Sequence, residues 1–294
     1  MIHRYYLLFC VFSFFLLITV SSCEKFSGDQ TIPAYLSIDS IYITTDYFSQ
    51  GSSSQKITDA WVTVDNEFIG AFELPARFPV LKSGKHQVSV YPGVKKNGIA
   101  ATRVSYNFYK PITKEVTFTL DSTSKIGVLK TTYQSSTLFP FKEDFDQVGI
   151  TLDTINGSTA FLQMTTAGSP LTFEGNHSGM IVLDSLHDYF ECMNHQAIAI
   201  SKAPVFLEMN FNTTNSVILG VFTYGSSLLY QTPIITLQPT NGAWKKIYID
   251  LTTTLNAYSG MLSFRIYLRA LKDAGLEQST VLIDNLKVVT RSGN

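Results

Sequence analysis

The chain is 294 residues long and carries 22 basic against 23 acidic side chains, a formal charge of −1, with only 15% charged residues. Near-neutrality without a basic surplus leaves no electrostatic footprint for a phosphate backbone and argues against a nucleic-acid partner. With 45% hydrophobic and 13% aromatic residues, the chain can bury a large core, which excludes a disordered protein and leaves room for one large or two ordinary domains.

The amino terminus reads as a targeting segment. Arg4 is followed by an apolar run from Tyr5 to Val20, the length of a signal h-region and short for a membrane span. The run ends in Val20-Ser21-Ser22-Cys23. This resembles the lipobox of bacterial lipoproteins, which implies that residues 1–22 are a signal peptide and that Cys23 becomes an acylated amino terminus. An ordinary signal peptide cut near Ser22, or a short membrane anchor, is the alternative. Residues 23–33 are polar and read as a tether. Glu24, where enterobacterial inner-membrane lipoproteins carry aspartate, favours the outer membrane. The acidic residue after the cysteine loosely resembles the surface-export signals of Bacteroidota lipoproteins, although Lys25 and Phe26 interrupt the match. The expectation is therefore a membrane partner through a lipid anchor at the cell outer membrane, with the leaflet open.

From residue 34 to 134 the dominant pattern is alternation with period two. Leu36, Ile38, Ile41 and Ile43 alternate with polar partners, as do the runs 60–64, 86–91 and 115–120. Turn chemistry separates them at Asp65-Asn66, Ser83-Gly84-Lys85, Asn97-Gly98 and 121–124, the spacing of a β-sandwich. The stretch 62–70, with Leu74-Pro75 and Gly84-Lys85-His86-Gln87-Val88-Ser89-Val90, resembles the PEGA-type and carboxypeptidase-regulatory-like sandwiches, which implies a scaffold or binding module. His86 reads as a strand residue without a companion at chelating spacing.

A boundary is expected near residue 135, at the uncharged Gln134-Ser135-Ser136-Thr137. Beyond it, segments 207–211, 217–222, 247–251, 264–268 and 281–289 read as strands, and the one helical candidate, Leu271 to Gln278, is broken by Gly275. Phe145-Asp146, Phe173-Glu174-Gly175-Asn176-His177-Ser178-Gly179, Gly242-Ala243-Trp244 with the strand after it, and Ile283-Asp284-Asn285 occur in the order of galactose-binding-like jelly rolls and related carbohydrate-binding modules, which this half resembles. The expected fold class is all-β: two consecutive β-sandwich domains, 34–134 and 135–294, the second a jelly roll.

That resemblance implies a structural calcium held by Asp146 and Asp284, with backbone oxygens around Asn176 and His177. Local hydrogen bonding of Asp284-Asn285 at a strand bulge is the alternative. It also implies glycan binding, which needs aromatic platforms and a few polar groups; Tyr224, Tyr230, Tyr258 and Tyr267 are the candidates, while Trp61 and Trp244 sit in alternating runs and read as core. Of three cysteines, Cys10 falls in the signal and Cys23 carries lipid. Cys192, beside acidic Glu191 and without a helix start, reads as a buried structural thiol. The chain has no Gly-x-Ser-x-Gly, phosphate loop, His-Glu-x-x-His or Cys-x-x-Cys, so no catalytic residue is nominated. Two functions remain: a non-catalytic surface lipoprotein that captures a glycan, or a structural lipoprotein that docks on an envelope protein complex. A glycoside hydrolase ranks below both.

Overall fold

The computed structural model describes residues 32–292; the expected signal peptide and Cys23 fall outside that range. The described chain is all-β. In the amino-terminal half the strands are β1 (Ala34–Ile43), β2 (Asp59–Val64), β3 (Glu67–Glu73), β4 (Ala76–Val80), β5 (Gly84–Lys95), β6 (Arg103–Ser105), β7 (Ile112–Phe118) and β8 (Thr123–Thr131), with a single helical turn, α1 (Tyr47–Gln50), after β1. They form one sheet in the order β4-β1-β8 and a second in the order β3-β2-β5, with β6 and β7 both paired along the remaining edge of β5.

Alternation does what the sequence leads one to expect: Leu36, Ile38, Val62, Val64, Val88, Val90 and Phe118 pack between the sheets, and the intervening polar residues face outward. Asp65 and Asn66 take φ of 50° and 67°, the left-handed pair that a two-residue hairpin turn requires and that Asp and Asn tolerate. His86 supports this turn, its Nδ1 lying 2.6 Å from Asp65 Oδ2 and its Nε2 2.9 Å from the Ser83 carbonyl. It serves as a strut in the strand.

The second half contains β9 (Thr137–Glu143), β10 (Leu152–Thr154), β11 (Leu162–Met164), β12 (Gly179–Leu183), β13 (Tyr189–Asn194), β14 (Ile198–Ala199), β15 (Phe206–Thr213), β16 (Val217–Gly225), β17 (Leu229–Leu237), β18 (Lys245–Asp250), a turn of helix α2 (Thr252–Leu255), β19 (Met261–Leu271) and β20 (Ser279–Arg291). Two sheets face each other as a jelly-roll sandwich. One runs β10-β13-β19-β16-β17, with β14 also on β19; the other runs β11-β12-β20-β15-β18, with β9 also on β20. Phe145, Phe190, Cys192, Leu207, Met209, Leu219, Val221, Phe264, Ile266 and Ile283 fill the space between them.

One expectation holds and one is corrected. Residues 271–278 form no helix: β19 runs to Leu271, and the segment beyond it turns through Gly275 at φ 83°, a conformation that a helix cannot contain. Neither tryptophan is a core residue. Trp61 and Trp244 are both half-buried, each lying on an outward-facing side of its alternating run.

The outer face of the β15/β20 sheet is covered by the amino-terminal domain. Alternation along β15 sends Leu207 and Met209 into the sandwich and Glu208 and Asn210 outward, yet Glu208 has no solvent exposure. Tyr106 and Tyr133 of the first domain donate their hydroxyls to Glu208, at 2.8 and 2.9 Å, while Lys246 and Lys287 approach it to 3.4 and 4.0 Å. Around this charge cluster Tyr106, Phe108, Tyr109, Tyr133, Phe206 and Tyr248 form a single aromatic cluster drawn from both domains. The tip of the β5–β6 hairpin continues the contact: the Asn97 N–H donates to the Tyr248 carbonyl at 2.8 Å and Asn97 Oδ1 accepts the Asp250 N–H at 2.8 Å. Hydrophobic burial and satisfied polar groups together fix the two sandwiches to each other.

Candidate functional site: a cupped sheet face

The opposite sheet of the second sandwich keeps its outer face open. Alternation along β16 points Leu219 and Val221 into the core, which leaves Gly220, Phe222 and Tyr224 outside; along β19 it leaves Arg265, Tyr267 and Arg269 outside, and along β13 Tyr189, Glu191 and Met193. Register places Tyr267 between Gly220 and Met193, with Arg269 opposite Glu191 and Arg265 opposite Phe222. These side chains therefore share one surface.

Gly220 lets the surface form. A Cβ at this position would come within 2.6 Å of the Tyr267 ring, so only glycine allows that ring to lie flat on the sheet. Phe222 packs against it at 5.1 Å between centroids, tilted by 48°. Glu191 gathers the polar groups. Its carboxylate accepts from Arg269 Nε at 3.0 Å, from the Tyr189 hydroxyl at 2.8 Å and from Gln231 Nε2 at 2.5 Å.

Gln231 belongs to β17 and Glu191 to β13, three strands away. On a flat sheet that separation is roughly 14 Å before any offset along the strands, so the hydrogen bond closes only because the sheet is curled into a cup. The bridge passes over Tyr267, which is 1% exposed, and leaves Phe222, Tyr224, Arg265 and Arg269 half-buried at its sides. The Arg265 guanidinium sits 5.8 Å from the Tyr224 ring, and its Nε is buried without a hydrogen-bond partner. Burial raises the Tyr267 and Tyr224 hydroxyl pKa values, so both remain protonated donors. The cup thus offers aromatic faces beside planar, multidentate hydrogen-bonding groups.

Of the four nominated tyrosines, Tyr224 and Tyr267 lie in this cup. Tyr230 does not, because it pairs with Thr223 and so projects from the other side of the sheet. There it stacks on Tyr258, at 4.4 Å and 10° between planes, with both rings more than one-third exposed. Glu191, Phe222, Gln231, Arg265 and Arg269 are cup residues that sequence reasoning does not nominate as a site. Their signal was present in the alternation of Arg265-Ile266-Tyr267-Leu268-Arg269, where the residues between are purely apolar.

Asp146 and Asp284 lie on either side of the loop 174–178. Asp146 Oδ1 accepts the N–H groups of Asn176 and His177 at 2.8 and 3.0 Å, so it is the amides of this loop that point at the carboxylate. Asp284 accepts the Ser178 hydroxyl at 2.5 Å and the Asn285 N–H at 2.6 Å, and burial pushes its pKa up to about 7. Each carboxylate is thus occupied by hydrogen-bond donors, the arrangement of two carboxylates that clamp a loop, with the Glu174 carboxylate also near Asp284. Among the described residues no group of three or more His, Cys, Asp or Glu side chains is placed to hold a metal. Cys192 is fully buried in the core, with its thiol pushed up to about 12 by burial.

No family model matches the chain, and no curated protein does. Among solved structures it is similar to a variant of a family 29 carbohydrate-binding module studied for ligand recognition, at 13% identity and a TM-score of 0.34, over 54% of this chain and 94% of that one. It is similar to carbohydrate-binding modules of the β-sandwich superfamily described as promiscuous in specificity, at 10% identity and a TM-score of 0.35, over 78% and 84%. It is also similar to a xylan-binding domain of family 22, at 11% identity and a TM-score of 0.35, over 53% and 96%. A likeness this distant carries no argument about a ligand, which has to come from the side chains of the cup; these structural neighbours are carbohydrate-binding β-sandwich modules.

Proposed function

We propose that the second sandwich captures a glycan in the cup of the β13, β19, β16 and β17 face, and that the chain is a non-catalytic lipoprotein, anchored through Cys23 at the outer membrane, that presents this cup. The observation that carries the reading is the arrangement of Phe222, Tyr224 and Tyr267 around the Glu191, Arg269 and Gln231 network. Pyranose rings have faces of C–H groups that pack on aromatic rings and equatorial hydroxyls that pair with planar guanidinium and carboxylate groups. Tyr224 and Phe222 supply the first, and the half-buried side chains of Arg265 and Arg269 the second.

The way Glu191 is held supports a reading of binding without hydrolysis. Glycoside hydrolysis by the common routes uses two carboxyl groups about 5 to 9.5 Å apart, one of them free to move a proton. Glu191 is tied by Arg269, Tyr189 and Gln231 and acts as the hub that holds the other polar groups in place. The lipid anchor is read from the lipobox-like sequence at Val20 to Cys23, and several acyl chains on one residue would hold the protein to a bilayer. A glycan array probed with residues 24–294 tests the binding. Retention of at least one plant, host or microbial glycan is expected, and silence across all three classes would turn attention to docking on an envelope protein. Labelling of cells with a palmitate analogue tests the anchor, with loss of label expected in Cys23→Ala.

A further inference from the structure

A cavity of about 620 Å³ opens between the two sandwiches, away from the cup, and is lined by Lys56, Lys95, Phe173, Asn210, Trp244 and Lys246 among others. Its volume lies inside the usual 300 to 1,000 Å³ of small-molecule sites. Its chemistry is one-sided. Lys245 joins the three lysines just named, and no aspartate or glutamate is part of the lining. Lys95 is paired at 3.4 Å with Glu73, whereas Lys56 and Lys245 have no ion-pair partner among the described residues. Lys246, almost wholly buried, reaches only to 3.4 Å from Glu208, a carboxylate it shares with Lys287.

The amide oxygen of Asn210 and the ammonium of Lys246 are closed off behind this wall, Lys246 turned toward Glu208 at 3.4 Å. Beside them Trp244 packs on Phe173, with centroids 5.2 Å apart, and presents a half-buried indole to the cavity. A ligand that suits this wall carries a negative charge for the lysines and a flat C–H face for Trp244.

We propose that this cavity is a second ligand site, which takes a single acidic sugar residue, its carboxylate toward Lys56, Lys95 and Lys245 and its ring face on Trp244. The site is distinct from the cup: it lies where the two domains meet, and it shares with the cup sheet only the end of β17, Ile235 to Leu237.

Calorimetric titration of the full-length chain with D-galacturonic acid tests this, with galactose as the neutral arm. Galacturonic acid is expected to bind, with galactose at least about tenfold weaker, the difference of one charge pair. Lys56→Ala, at the exposed mouth, and Trp244→Ala should each weaken galacturonic acid about tenfold or more while melting stays near that of the parent chain. Tyr224→Ala, in the cup, should leave this binding unchanged. Absence of heat and of chemical-shift change with both galacturonic and glucuronic acid would overturn the proposal. So would equal binding of the acid and neutral sugars, or binding that survives Lys56→Ala and Trp244→Ala together.

Discussion

The second sandwich has two outer faces, and both are polar by sequence, yet they meet opposite fates. On the β15/β20 sheet, Glu208, Asn210, Lys246 and Lys287 point away from the core and are covered by the first domain. On the β16/β19 sheet, Glu191, Arg265 and Arg269 point away from the core and stay at the floor and sides of an open cup. Tyrosines accompany the charges on both. What separates the faces is closure: tyrosine hydroxyls and lysines from two domains seal Glu208 completely, whereas the partners of Glu191 all come from its own sheet. A charge sealed by a neighbouring domain holds the architecture together. A charge organised within one sheet leaves its surroundings available to a ligand.

The strongest way to break this comparison is to remove the sealed charge. Glu208→Ala leaves Lys246 and Lys287 buried without their common partner and two tyrosine hydroxyls without an acceptor. Loss of one member of a buried ion cluster destabilises by about 3–5 kcal/mol, which chemical denaturation should register. A loss below about 1 kcal/mol, the size seen for exposed pairs, would mean that the face is not sealed as described.

On the open face the matching perturbation is Gly220→Val. The added carbons collide with the Tyr267 ring and with the neighbouring strand. Overpacking of this kind destabilises by about 1–3 kcal/mol; here it should also lift Tyr267 and abolish glycan retention. Retention at the parental level would show that the flat seat of Tyr267 is irrelevant to binding.

Titration sharpens the contrast further. Burial depresses the Lys287 ammonium from its ordinary 10.5 to about 7, so between those values the unfolded chain holds a proton that the native state has given up, and stability rises as pH rises from 7 toward 10.5. Burial raises Asp284 from 3.8 to about 7, so between those values the native state holds the extra proton, and stability falls as pH rises from 4 toward 7. The two residues therefore contribute a minimum near neutrality. Lys287→Met should flatten the alkaline limb and Asp284→Asn the acid limb, measured by denaturation midpoints across pH 4 to 10. A profile unchanged by Lys287→Met would contradict the burial of that ammonium.

The smallest expected effect is that of calcium. With N–H and O–H donors occupying Asp146 and Asp284, melting in millimolar calcium and in excess chelator should coincide. A clear rise with calcium would restore the cation that the jelly-roll resemblance implies. Asp146→Ala should instead loosen the 174–178 loop, visible as faster amide exchange at Asn176 and His177.

Much of the fold was legible because period-two alternation is local: Leu36 and Ile38, Val62 and Val64, and Leu207 and Met209 announce both a strand and its buried side. The hairpin turn at Asp65-Asn66 was legible for the same reason, since its backbone conformation selects the residue types. The cup was only half legible. Tyr224 and Tyr267 share a face because β16 and β19 are neighbours in a particular register, and adjacency between strands forty residues apart is not written in either strand. Tyr230 shows the cost of lacking that register, for it sits beside Thr223 and leaves by the opposite side. Glu208 was least legible of all. A glutamate in an alternating strand reads as solvated until a second domain is placed over it, and nothing in residues 206–213 announces that cover.

The most direct test of the proposal that the cup binds a glycan is the paired behaviour of the parent protein and the Phe222→Ala/Tyr224→Ala variant on a glycan array, followed by calorimetry on the best ligand. Both rings are half-buried and lie outside the core, so the variant should melt close to the parent. Loss of two aromatic contacts at a binding centre removes about 2 kcal/mol or more, so the variant should bind at least about thirtyfold more weakly. Equal affinity of the two proteins for every retained glycan would contradict a binding site in the cup.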